Sequence, residues 1–170
     1  PMGKTKKNPS AIPPESMEDK VDLVQLLSNT GVPPSEEEII TFLSARFKAD
    51  LPYTRINASS LVIVNPNKPL EIMNDLSAKE YADQWYRDTS SENSTLQPHI
   101  YEFAAKIYLH MRRSAEDQSV IFSGITGSGK TATQGHLLSQ LLLLSTHTKK
   151  ESKIATQIRN AQIILEAFGS

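Results

Sequence analysis

The chain has 170 residues, with 18 basic side chains against 19 acidic ones and a formal net charge of −1. That length holds one domain with a real core and is short for two. The balanced charge excludes a strongly basic nucleic-acid-binding class and an acidic tail. Cysteine is absent, which removes disulfides and thiol chemistry and fits a reducing compartment.

Pro1-Met2-Gly3 reads as a tag remnant ahead of an initiator methionine, so the chain is expected to open a longer protein. Residues 1–20, rich in Lys, Pro, Ser and Glu, read as a flexible leader, and 21–170 as the domain that follows. Val21, Val24 and Leu27, with Leu23 and Leu26 beside them, set a short helix over Val21–Ser28. Asn29-Thr30-Gly31 and Pro33-Pro34 break it. Ser35-Glu36-Glu37-Glu38 is a capping box: the Ser35 hydroxyl and Glu38 carboxylate each satisfy an open helix-end amide. The helix it starts runs to Lys48, with Ile39, Ile40, Leu43 and Phe47 on one face; the acidic triplet answers the helix dipole rather than marking paired catalytic carboxylates.

Tyr53–Asn57 and Ser60–Val64 are β-rich runs around a turn at Asn57-Ala58-Ser59, and Asn65-Pro66-Asn67-Lys68-Pro69 leaves them as a stiff loop. Ser77–Arg87 is a helix with Tyr81 and Trp85 one turn apart, and Asp88–Gln97 is a polar loop. Pro98 opens the next helix, whose buried face is Ile100, Phe103, Ala104, Ile107 and Met111. After a turn at Ser114–Asp117, Ser119-Val120-Ile121-Phe122-Ser123 reads as a buried strand. A helix then runs from Lys130 to about Leu144. A last helix, about Glu151–Ala167, carries Ile154, Ile158, Ala161, Ile164, Leu165 and Phe168 at helical spacing. The run Leu137–Leu144 is far too short to cross a bilayer, no signal-peptide pattern opens the chain, and no membrane contact is expected of it. His99, His110, His136 and His147 show no metal-ligand spacing.

Between the 119–123 strand and the helix that follows lies Gly124-Ile125-Thr126-Gly127-Ser128-Gly129-Lys130-Thr131, a match to G-x-x-x-x-G-K-[ST] at every specified position. Wrapping a polyphosphate takes backbone amides, hence residues that accept unusual dihedrals and bring no obstructing side chain. Gly124, Gly127 and Gly129 meet that need. The helix beginning at Lys130 adds open amides and the positive end of its dipole. Lys130 reaches the β- and γ-phosphates, and the Thr131 hydroxyl ligates Mg²⁺, making ATP with Mg²⁺ the expected cofactor pair. The binding set is Gly124, Ile125, Thr126, Gly127, Ser128, Gly129, Lys130, Thr131 and Ala132, with Thr131 on the metal. A small nucleotide kinase is the poor alternative, since an arginine-rich lid is needed and only Arg159 follows the loop.

Several segments, in order, resemble myosin motor heads: Leu51-Pro52-Tyr53-Thr54-Arg55, Val64-Asn65-Pro66, Pro98-His99-Ile100, Asp117-Gln118-Ser119, the glycine loop, and Ile164-Leu165-Glu166-Ala167-Phe168-Gly169. The likeness covers roughly residues 20–170. Kinesins share the Thr-Gly-Ser-Gly-Lys-Thr core, and the flanking segments select myosin. Departures are specific: Ile125-Thr126 stand where myosins usually have Glu-Ser, and Ala132-Thr133 where they have Glu-Asn. Asn65 and Lys68 match the start of the family's purine-binding loop, but Glu71 and Met73 replace its later proline and tyrosine. A divergent head so close to the initiator methionine is most similar to the myosin-motor-like domain of fungal chitin synthases.

The resemblance implies an α/β, P-loop NTPase fold, here a myosin-motor-like head fragment with an incomplete central sheet and a truncated end after Phe168-Gly169-Ser170. It implies a nucleotide as ligand, with actin or vesicle machinery engaged through a full-length parent. That parent would be a chitin synthase using UDP-N-acetylglucosamine at the plasma membrane and on secretory vesicles, with this domain on the cytoplasmic face. The family's two switch loops, which sense the γ-phosphate, are expected past Ser170. No catalytic residue is therefore assigned within the chain, and negligible ATP turnover is expected of it. A degenerate motor fold acting as a non-hydrolysing scaffold, or a conventional myosin ATPase head, are the alternatives.

Overall fold

The structure is a computed structural model, and it describes residues 22–28, 33–87 and 96–169. The flexible leader, the Asn29-Thr30-Gly31 break and most of the polar loop after Arg87 lie outside the described residues. The described chain forms two compact units, divided after Pro66.

The first unit holds helix α1 (Leu23–Ser28), helix α2 (Glu36–Lys48) and the strands β1 (Tyr53–Asn57) and β2 (Ser60–Ile63). The Ser35–Glu38 capping box forms as expected, with the Ser35 amide donating to Glu38 Oε2 at 2.7 Å and the Glu38 amide to Ser35 Oγ at 3.3 Å. β1 and β2 pair antiparallel, Tyr53 opposite Ile63 and Arg55 opposite Leu61, with an irregularity between Arg55 and Asn57. The Asn57 side chain turns the hairpin by accepting from the Ser59 amide at 2.9 Å.

The apolar core of this unit is Leu23, Leu26 and Phe42, with Ile39 and Leu43 against it. The inward face of α2 differs from the expected one: Phe42 and Arg46 are buried, while Ile40 and Phe47 face solvent. The rotation has a polar cause. Arg46 Nη2 donates to the Tyr53 carbonyl at 2.7 Å, so a charged residue takes an inner position on the helix. Asp22 completes the layer, accepting from the Arg55 amide at 2.6 Å and pairing with Arg55 Nε at 3.2 Å. Thr54 joins it to α1, its hydroxyl accepting from the Leu23 amide at 2.7 Å. Burial holds the Arg46 guanidinium below its ordinary pKa, with the Asp22 carboxylate opposing the shift.

The second unit contains α3 (Asp75–Arg87), α4 (Ile100–Ser114), α5 (Lys130–Ser145) and α6 (Lys149–Gly169). α4 packs against both α3 and α5. Its buried side comprises Ile100, Tyr101, Glu102, Ala104 and Ala105, whereas Met111, expected inside, is exposed. The small Ala82 and Ala105 bring the helices close, and Leu144 fills the space between. Gln140, fully buried on α5, ties that helix to α3 by donating to the Ala78 carbonyl at 2.9 Å. His99 caps α4: its Nδ1 accepts from the Tyr101 amide at 3.1 Å, and its ring stacks on Tyr81 at 5.1 Å.

The expected strand at 119–123 does not form. Residues 115–125 run without regular structure, and Ile121 is 89 % exposed. A strand exists only as one member of a ladder, and β1–β2 is the one ladder among the described residues. Among the described residues the sheet is thus a two-stranded hairpin within the first unit, and residues 119–123 join no ladder.

Candidate functional site: the glycine loop at the start of α5

The turn at Gly124–Gly129 is built by three glycines with positive φ: 153° at Gly124, 79° at Gly127 and 87° at Gly129. Gly129 is the left-handed cap of α5, and no side chain closes that helix end. The first amides of α5 are left facing the loop, the arrangement an anion needs. Gly124 is required for a second reason. A Cβ there would sit 2.6 Å from Ser128 Oγ and 3.3 Å from its Cβ, so the two ends of the loop touch only because one lacks a side chain.

Lys130 folds back over the loop. Its Nζ donates to the carbonyls of Gly124 and Ile125, both at 2.8 Å, while the Ser128 amide donates to the Ile125 carbonyl at 3.2 Å. The ammonium therefore lies inside the turn and not in packed core. Ser128 Oγ is buried and finds no hydrogen-bond partner among the described residues. The orphaned Ser128 hydroxyl, beside an ammonium and a helix start that no side chain caps, fits an anion such as a phosphate group.

Residues 124–132 form this turn and the first turn of α5. Ile125 stands 82 % exposed at the loop tip, and Thr131 and Ala132 are exposed on the first turn of α5. They border an open groove of about 440 Å³ between α5 and α6, whose walls include His136, Arg159 and Glu166. Asn65 is half-buried in the first unit, and Lys68 is exposed on a bend that begins the second, after Asn67 at φ 51°. No group of three or more metal-ligating side chains occurs among the described residues. One contributor was missed by the motif. Thr133, buried, donates its hydroxyl to the Gly129 carbonyl at 2.9 Å, and its amide donates to the same oxygen at 2.9 Å. Its spacing four residues after the capping glycine is the signal that marks it.

The glycine loop, with no strand before it, opens α5 and folds around its own lysine. The profile of the myosin head (motor domain) matches residues 22–170, and the chain belongs to that family. It is 38 % identical over 154 residues to chitin synthase 8 of Mycosarcoma maydis, covering 88 % of this chain and 8 % of that protein. It is 36 % identical over 135 residues to myosin-VIIa of Drosophila melanogaster (79 % of this chain, 6 % of that one). With chitin synthase 5 of Cryptococcus neoformans the identity is 30 % over 149 residues, covering 80 % of this chain and 8 % of that one. The chain spans less than a tenth of the length of these three relatives.

Proposed function

We propose that the chain is a Mg·ATP-binding part of a myosin-motor-like domain of a chitin synthase. In that setting it guides or anchors the parent enzyme, through the cytoskeleton or secretory vesicles, for cell-wall chitin synthesis. The observation that carries the nucleotide reading is the Lys130 ammonium, held at 2.8 Å from two loop carbonyls at the mouth of an uncapped helix. A bound polyphosphate offers that ammonium stronger, charged acceptors than the two carbonyls. The Gly127 and Gly129 amides and the Ser128 hydroxyl would donate to the same anion, joined by the Ser128 amide on exchanging the Ile125 carbonyl for it. Thr131 would hold Mg²⁺, which when bound neutralises phosphate charge; Asn65 and Lys68 are proposed for the nucleoside on their likeness to the family's purine-binding loop.

Binding is proposed without turnover. Residues 124–132 contain no carboxylate or imidazole to orient a water molecule, and orientation supplies most of the rate in phosphoryl transfer. Calorimetry with Mg·ATP tests this reading. Saturable heat that weakens at least about 100-fold in Lys130→Ala, an interaction of 2–3 kcal/mol or more, supports it. Absence of heat from both proteins favours the scaffold reading, to which the exposed apolar Ile125 at the loop tip lends weight.

A further inference from the structure

The Gly129 carbonyl is held twice. The Thr133 amide donates to it at 2.9 Å, as helical pairing at the start of α5 requires, and the Thr133 hydroxyl donates to it as well, also at 2.9 Å. Thr133 is buried and shares the inner face of α5 with Leu137, Gln140 and Leu144, whereas Thr131 and Ala132 in the same turn are exposed. Gln140 fastens that face to α3. Burial keeps water from competing for the Thr133 hydroxyl, so its bond is a fixed link from the packed side of the helix to the last residue of the loop.

A hydroxyl that bonds back by one helical turn does little for helix stability. Thr156 makes the same bond to the Ser152 carbonyl, at 3.0 Å, on an exposed turn of α6. The acceptor is what sets Thr133 apart. Gly129 is the left-handed cap of α5, at φ 87°, and no side chain closes the helix there. Its carbonyl shares a peptide unit with the Lys130 amide, and in a planar trans unit the N–H points opposite to the C=O. Clamping the carbonyl inward along the helix therefore aims the Lys130 N–H outward at the loop. Two donors on one carbonyl also polarise the unit, which makes that N–H a better donor to an anion. We propose that Thr133 is a positioning residue for phosphate, acting through the Gly129 carbonyl on the Lys130 amide rather than touching the ligand. This rests on the nucleotide reading above and adds to it a residue that the loop motif does not specify.

Calorimetry with Mg·ATP and amide NMR of the free chain test it together, on the wild type, Thr133→Val, Thr133→Ser and Thr156→Val. Thr133→Val removes the hydroxyl and keeps the shape and the amide bond. It should weaken binding at least about threefold, the worth of one hydrogen bond, and displace the Lys130 amide resonance in the free chain. Thr133→Ser should recover both, and Thr156→Val should change neither. Helical circular dichroism stays the same in all of them; Thr133→Ala is read in the same way should Thr133→Val fail to fold. The proposal is overturned by an affinity within about threefold of wild type in Thr133→Val, or by a Lys130 amide that stays in place. A loss that Thr133→Ser does not recover also overturns it, since the role then belongs to the buried methyl group. A wild type that binds no Mg·ATP defeats the nucleotide reading instead. Positioning is then decided by the free chain alone: a Lys130 amide displaced in Thr133→Val and recovered in Thr133→Ser supports it, and an unmoved one overturns it.

Discussion

A methyl group in place of the Gly124 hydrogen would lie 2.6 Å from Ser128 Oγ, on backbone at φ 153°. Gly124→Ala must therefore shift Ser128 or open the turn, and either outcome moves the amides and the ammonium that share it. The variant should lose about 1–3 kcal/mol of stability and bind Mg·ATP at least tenfold more weakly, measured by thermal melts and calorimetry. Wild-type affinity in this variant would show that the loop does not hold the anion. In the first unit the comparable residue is Asp22, which anchors the Arg55 amide and side chain and acts on Arg46. Asp22→Asn leaves two guanidinium groups short of their carboxylate. The cost should be about 3 kcal/mol in urea unfolding, the low end for a buried pair because Arg55 is still 24 % exposed. A loss under about 0.5 kcal/mol would mean the pair is merely a surface contact.

At the scale of elements, α4 is capped by an imidazole that has to stay neutral, because its Nδ1 is the acceptor. Burial, with a smaller contribution from His136, pushes His99 from an ordinary 6.5 down to about 3. Burial also lowers His136, which meets Tyr101 edge-on. Below pH 6.5 an unfolded chain takes up a proton that the folded His99 refuses. Its contribution is therefore complete above pH 6.5 and is lost as pH falls toward 3, at up to about 1.4 kcal/mol per pH unit. Between pH 6.5 and 5 this group alone should cost about 2 kcal/mol. His99→Asn, which keeps a cap acceptor, should flatten the slope of unfolding free energy against pH over that range. An unaltered slope would contradict the account.

The same scale shows what could be read in the sequence. The Ser35–Glu38 box, the hairpin at Asn57 and the glycine loop were legible because each is fixed by residues within a few positions of one another. The inward turn of Arg46 was not, since its acceptor is the Tyr53 carbonyl and its charge partner is Asp22. Periodicity located α6 but not its orientation. Helical spacing says that an apolar face exists, while the direction in which it points depends on the neighbouring helix. The 119–123 run has the composition of a buried strand, and composition carries no information on whether a ladder partner is present.

For the whole molecule, family membership and the loop make separate claims. The myosin head profile spans residues 22–170, reaching from the hairpin unit to the end of α6. The proposed phosphate binding rests on the few residues around Lys130. The most direct measurement of that claim is amide NMR during titration with Mg·ADP, followed residue by residue. The account predicts that the amides of Gly127, Ser128, Gly129, Lys130 and Thr131 shift together and saturate, with the Lys130 Nζ resonance moving as it exchanges its two carbonyls for phosphate oxygens. Saturating shifts confined to other segments, with the 124–131 amides unmoved, would contradict it.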